Sequence, residues 1–203
     1  GHIFEDLGTD MEPVEDILSA LDRHVEKGTL RAIGVSNETS WGTMRFLQES
    51  EKRGLPRIAS IQNAYNLVNR SFEIGLAEIA VREDVSLLAY SPLGQGYLSG
   101  KYRNGALPAG SRKAMFERLG RYEGPGAQET LNRYLDLAHE RGMRPEHLAL
   151  KFCDTRAFMT STIIGATNLT QLETDLEAFD AQWSDDLETA VNAIHASHPN
   201  PCP

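Results

Sequence analysis

Four short polar clusters stand out along the chain: Ser36-Asn37, Gln62-Asn63, Tyr90-Ser91 and Gly165-Ala-Thr167. Each closes a run of small, β-branched or aliphatic residues. Taken singly, such a cluster reads as turn chemistry. Repeated at the same point after each run, they read as the mouth of a ligand site. The hydroxyl of Ser36 and the amides of Asn37 and Gln62 offer donors and acceptors together, which suits a carboxamide. Tyr90 can lay its ring against a flat heteroaromatic. The run from Ser91 through Pro92, Leu93 and Gly94 to Lys101 is rich in glycine, and glycine lets backbone N–H groups approach phosphate oxygens closely. The last cluster feeds a helix whose free N–H groups and dipole favour an anion. Asn168 with Gln171 also resembles a capping box there.

The elements that must position these residues alternate in type. Strands are expected at 30–35, 58–62, 85–90 and 161–165. Helices are expected at 13–27, 41–53, 72–82, 128–141, 145–156 and 169–179, with a last one capped by Ser184 and running to His195. Pro13 suits a first turn, Ile17, Leu18, Leu21 and Val25 share one face, and Gly28 ends that helix. Residues 91–126, rich in Gly, Pro and Arg, interrupt the rhythm, and the tail from His198 reads as a loop. Strands alternating with helices imply a parallel sheet. Four such units make half of a (β/α)8 TIM barrel, a fold of ~250 residues. The rival, a doubly wound sheet, lacks its GxGxxG after a first strand.

With 203 residues, 40% hydrophobic and 24% charged, the chain can bury a core. The formal net charge of -9 argues against a nucleic-acid partner, for want of basic groups to displace counterions. No apolar run approaches the ~20 residues that span a bilayer, so no membrane partner is expected. Two cysteines, Cys153 and Cys202, are too few for a disulfide framework and point to a reduced, cytoplasmic protein. Gly1 opens the chain where Met is usual, which suggests a piece of something longer. The six histidines, from His2 to His198, show no metal-ligand spacing. Glu5-Asp6 and Asp185-Asp186 read as solvated or helix-start acids.

Arg31-Ala-Ile-Gly-Val-Ser-Asn37, Ile61-Gln-Asn-Ala-Tyr-Asn66, Leu88-Ala-Tyr-Ser-Pro-Leu-Gly94 with Ser99-Gly-Lys-Tyr102, and Ile163-Ile-Gly-Ala-Thr167 with Gln171-Leu172 resemble the aldo-keto reductases. The nearest branch looks like the bacterial Tas-like reductases and the potassium-channel β-subunits. The resemblance runs from Pro13 to about His195. It implies the C-terminal half of a (β/α)8 barrel, NADP(H) as cofactor and a small carbonyl substrate. It implies that Ser36, Asn37 and Gln62 hold the nicotinamide carboxamide, that Tyr90 stacks on the ring, and that Ser91, Pro92, Leu93, Gly94 and Lys101 cover the pyrophosphate. Arg112 falls where this branch sets an arginine against the 2′-phosphate; a solvated loop arginine is the other account of it. Gly165, Thr167 and Gln171 match the adenosine-phosphate end. Asp175 stands where the family usually has Asn, against the adenine amino group.

The resemblance also says what is missing. The tyrosine, lysine, aspartate and histidine that serve the proton transfer lie upstream of the matched region, so no catalytic residue is assigned here. The chain is then expected to span residues 1–203 as the C-terminal part of a reductase domain, inactive alone. The alternatives are a non-catalytic nucleotide-binding module, and a half barrel that self-associates or pairs with its missing half, since an open sheet exposes two edges.

Overall fold

Short apolar runs set between amphipathic helices build one parallel sheet. The computed structural model describes residues 12–116 and 120–203; His2, Glu5 and Asp6 lie outside them. Helix α1 (Val14–Glu26) leads to β1 (Ile33–Ser36), α2 (Ser40–Arg53) to β2 (Ile58–Ala64), and α3 (Leu76–Glu83) to β3 (Ser86–Tyr90). After β3 come a helical turn at Gly94–Ser99, the short α4 (Arg112–Met115), α5 (Ala127–Glu140) and α6 (Pro145–Asp154). Then β4 (Met159–Thr162), α7 (Leu169–Glu177) and α8 (Asp185–Ser197) complete the chain. The four strands form one parallel sheet in the order β1-β2-β3-β4. Sequential parallel order with helical crossovers is the arrangement of part of a (β/α)8 barrel.

The two faces of the sheet differ. Ile33, Ile61, Leu87 and Ala89 are buried beneath the helices, where Leu18, Phe46, Leu131, Tyr134, Leu148 and Phe152 complete the core. On the other face, Gly34, Ser60 and Ser86 pair across one row, and Ser36, Gln62, Leu88 and Ser161 across the next. None of these seven is buried. Gly34 is required by proximity: a Cβ there would lie 2.6 Å from Ser60 Oγ and 2.9 Å from the Ser60 carbonyl.

Several boundaries depart from the sequence reading. Strand β1 starts three residues late because the N–H groups of Thr29 and Leu30 both turn back to the His24 carbonyl at the end of α1. Strand β4 lies at 159–162 and not 161–165: its ladder follows β3, the last bond running from Ile163 N–H to the Ala89 carbonyl (2.8 Å). Residues beyond Ile163 leave the sheet and become groove wall. The helix expected at 72–82 is a 3-10 turn (Ser71–Ile74) and then α3, broken at Gly75 (φ -156°, ψ -38°). The tail is a loop that docks: Asn200 Oδ1 accepts from Arg70 N–H, and the N–H of the buried Cys202 donates to the Val68 carbonyl.

A polar network fastens the loop after β2 to α6 and α8. Arg70 is paired bidentately with Glu73 (2.8 Å for both bonds), whose carboxylate also accepts from Tyr65 OH. Arg156 is paired likewise with Glu188, which accepts from Trp183 Nε1 at 2.8 Å. The guanidinium carbons of Arg70 and Arg156 lie 5.2 and 4.6 Å from the Phe152 ring centroid. The Arg156 guanidinium, with Trp183 and Asn192, pulls the Glu188 carboxyl down to about 2 against the opposing effect of burial. Burial pushes the Tyr65 hydroxyl and the Cys153 thiol well up, and Glu73 adds to the effect on Tyr65.

Candidate functional site

The C-terminal ends of β1, β2 and β3 meet in a bonded cluster. Asn37 N–H and Ser36 Oγ both donate to the Gln62 carbonyl at 3.0 Å. Tyr90 OH donates to Asn37 Oδ1 at 2.7 Å, which fixes the ring across the sheet ends. Asn37 (φ 54°) and Ser91 (φ 55°) both leave their strands in the left-handed region, a conformation costly for non-glycine residues and concentrated at binding and catalytic sites. Behind them the buried Asn66 braces two loops, donating from Nδ2 to the Ser91 carbonyl (2.9 Å) and accepting from Val68 N–H (3.0 Å). Asn63 Oδ1 is buried with no partner among the described residues.

From Ser91 a groove of about 750 Å³ runs outward between the loop after β3, the α4 segment and α7. Nine of the expected residues line it: Ser91, Pro92, Leu93, Lys101, Arg112, Gly165, Thr167, Gln171 and Asp175. Ser36, Asn37, Gln62 and Tyr90 lie apart from its walls, in the strand-end cluster that adjoins it through the Tyr90–Ser91 peptide. Gly94 is buried against Tyr122, whose Cε1 would stand 3.1 Å from a Cβ, and does not face the groove.

The near wall is shaped by Gly96, at φ +98°. A Cβ there would fall 2.5 Å from Lys101 Cε and 2.7 Å from its Nζ, so the lysine folds across the bare α-carbon. Lys101 Nζ stands 5.3 Å from the Tyr102 ring centroid. Ser111 caps α4, and Lys113 anchors it, donating from its N–H to Tyr102 OH (3.2 Å) and pairing with Glu123 (2.5 Å). That pairing, with Tyr97 OH, holds the Glu123 carboxyl below its usual range. Arg112, one residue before, is left exposed on the groove wall with no carboxylate partner among the described residues.

On the far wall Asn168 Oδ1 accepts from Gln171 N–H at 2.9 Å, as a helix cap should. Gln171 Oε1 accepts from both the N–H and the hydroxyl of Thr167 at 2.9 Å, one residue earlier than a capping box predicts. Asp175 is 2% exposed and forms no hydrogen bond or ion pair with a described residue. Burial, then repulsion from Glu146, raises its carboxyl above the usual range; His147 and Lys101 oppose the shift.

Sequence reasoning missed several lining residues: Gln95, Met115, Phe116, Arg144, Glu146 and Thr174. Gln95, between two glycines, has φ 56° and a buried Oε1 without a described partner; its place inside the glycine-rich run was a usable signal. Arg144 and Glu146 reach the groove because α5 and α6 fold back as a pair, which no local pattern announces.

The aldo/keto reductase family model matches residues 6–196, and the chain belongs to that family. It is 46% identical over 198 residues to Protein tas of Escherichia coli K12, covering 96% of this chain and 57% of that protein. It is 34% identical to an aldo-keto reductase of Babesia bovis, over 90% of this chain and 67% of the relative. It is 29% identical to L-glyceraldehyde 3-phosphate reductase of E. coli K12, over 82% of this chain and 49% of the relative. The chain thus spans between about half and two thirds of the length of these curated relatives.

Proposed function

We propose that this chain supplies the nicotinamide-cofactor site of an NADP(H)-dependent oxidoreductase that transfers a hydride to an aldehyde or ketone. The observation that carries the reading is the continuity of the Asn37–Gln62–Tyr90 cluster with a groove whose walls bear Lys101 and Arg112. The residues suit a dinucleotide phosphate. A glycine cradle that a Cβ would fill lies beneath Lys101, and Arg112 lacks a described carboxylate partner. The groove volume is that of a small-molecule site.

The bound nicotinamide would supply the hydride. Ser36, Asn37 and Gln62 hold its carboxamide by complementary donors and acceptors. Tyr90, tied to Asn37, presents a ring face rather than a mobile hydroxyl. Ser91, Pro92, Leu93 and Lys101 cover the pyrophosphate, with Gly94 shaping the turn behind them. Arg112 meets the 2′-phosphate with a fork of donors, and Gly165, Thr167, Gln171 and Asp175 receive the adenosine end. Such a site fixes the ring for transfer by position, not by acid–base chemistry.

On this reading residues 1–203 form the C-terminal part of the reductase domain. The proton donor and its partners belong to an N-terminal barrel half absent from the chain, so the chain binds cofactor without turning over substrate. Two buried, free cysteines support a cytoplasmic setting. A second reading, a non-catalytic nucleotide-binding or assembly module, rests on the sheet edges that lack a partner strand among the described residues and on the exposed Leu169, Leu172 and Leu176.

Titration of the folded chain with NADPH and NADH, followed by nucleotide fluorescence, tests the first reading. Micromolar NADPH binding is expected. Arg112→Ala should weaken it about tenfold, the effect of one charge-assisted contact, and leave NADH nearly unchanged. No binding by folded protein would sink the cofactor assignment.

A further inference from the structure

We infer that the C-terminal tail, residues 198–203, is a strap that positions the loop after β3, holding Ser91 through a relay of buried hydrogen bonds. This rests on the nucleotide reading above and adds what keeps that site in shape. Val68 is the middle of the relay. Its carbonyl accepts from Cys202 N–H at 3.1 Å, and its own N–H donates to Asn66 Oδ1 at 3.0 Å. Asn66 Nδ2 then donates to the Ser91 carbonyl at 2.9 Å, where the chain leaves β3 at φ 55° and enters the groove wall. Asn66, Val68 and Cys202 are fully buried, so water does not compete for these bonds while the tail is docked. A second bond, from Arg70 N–H to Asn200 Oδ1 at 2.6 Å, pins the tail from the same turn. The composition of the tail suits the task. Pro199, Pro201 and Pro203 fix φ and leave little conformational freedom to lose on docking. Asn200 adopts φ 47°, a left-handed conformation that asparagine tolerates better than most residues. When the tail leaves, the Val68 carbonyl loses its donor and the buried space that Cys202 fills opens. Asn66 then holds Ser91 from a loosened turn, and the strained Ser91 backbone relaxes away from the geometry that binds ligand.

Cys202 serves as its own reporter in the test. Burial pushes the docked thiol up to about 12, so alkylation requires undocking. Cys153, buried in α6, reports opening of the core. Alkylation rates at both thiols are read by peptide mass spectrometry as NADPH is raised well past saturation. NADPH affinity is measured for the chain and for one lacking residues 199–203. Linkage makes the factor by which the tail strengthens nucleotide binding equal to the factor by which nucleotide favours docking. We expect both to be about tenfold, the effect of one buried hydrogen bond. Slowing at Cys202 should therefore level off near that factor, because the undocked chain still binds weakly. Slowing at Cys153 should keep rising with concentration, because the unfolded chain does not bind. Asn200→Ala, which removes the second bond alone, should weaken NADPH by about threefold and speed labelling at Cys202, and it serves if the shortened chain does not fold. Unchanged labelling at Cys202 with NADPH bound would overturn the inference and leave the nucleotide reading standing. So would slowing that tracks Cys153 throughout, since the tail would then move only with the whole fold. No NADPH binding by folded chain would overturn the nucleotide reading itself, and this inference with it.

Discussion

The residues that define the groove do so through small geometric demands. Gly96 has the sharpest of them, combining φ +98° with a lysine laid across its α-carbon. Gly96→Ala adds a methyl where Lys101 Cε now sits and strains the backbone, so Lys101 must swing away. We expect the variant to lose roughly 1 kcal/mol of stability, in the range for a side chain forced into this conformation. NADPH affinity should fall several-fold more than NADH affinity falls in Arg112→Ala. Thermal melts and fluorescence titrations check both; an Ala variant binding NADPH as tightly as the parent would show that Lys101 is free to move. Tyr90 and Asn37 act as a pair, since the 2.7 Å bond between them holds the ring in place.

At the scale of elements, caps and cross-element ion pairs decide which pieces stay together. Asn168 opens α7 beside the groove, and Asn168→Ala should cost about 1 kcal/mol in chemical denaturation. The same change should loosen the Thr167–Gln171 pair, because the Gln171 N–H loses its acceptor. The Arg156–Glu188 pair joins the segment before β4 to α8. Folded, the Glu188 carboxyl lies at about 2; unfolded, it titrates near its ordinary value of about 4.3. A lowered folded value means that the carboxylate stabilises the fold fully above the unfolded value. That contribution is lost as pH falls from about 5 through about 2. Glu188→Gln should be less stable at neutral pH by roughly 2 kcal/mol, allowing for its partial exposure. The variant should also lose less stability than the parent over the acid window. Parallel acid titrations of the two proteins would reveal an error here.

For the whole molecule, the strand order β1-β2-β3-β4 leaves one edge of β1 and one of β4 without a partner strand among the described residues. The polar face of the sheet is equally uncovered among the described residues. Helix α7 adds an apolar stripe, with Leu169, Leu172 and Leu176 exposed by 74%, 38% and 54%. Open edges and apolar stripes promote association. Sedimentation should therefore show mass rising with concentration, and a Leu172→Glu, Leu176→Glu double variant should reduce that rise without lowering the melting temperature. A chain that stays monomeric throughout would show that the stripe is tolerated in water. No helix among the described residues is long and apolar enough to cross a membrane.

Much of this was legible in the order of residues. Alternating apolar runs and helical faces announced the parallel α/β architecture. Polar residues closing those runs marked the strand ends, because a buried strand must finish where its side chains meet water. Asn168 and Ser184 cap their helices as their types require. What the order of residues left open depended on contacts between distant segments. The last strand sits two residues early because its ladder follows β3 and not its own apolar run. Gly94 turned inward under Tyr122 while Gly96 turned to the groove, a distinction set by a tyrosine more than twenty residues away. The tail's Cys202 is fully buried because Val68 supplies it a bond. Asp175 became buried only when α7 packed against α6, which sets Glu146 on the same groove. Local pattern is written by period and propensity and can be read residue by residue. Burial, register and the walls of a groove come from packing across the chain, and the folded molecule alone decides them.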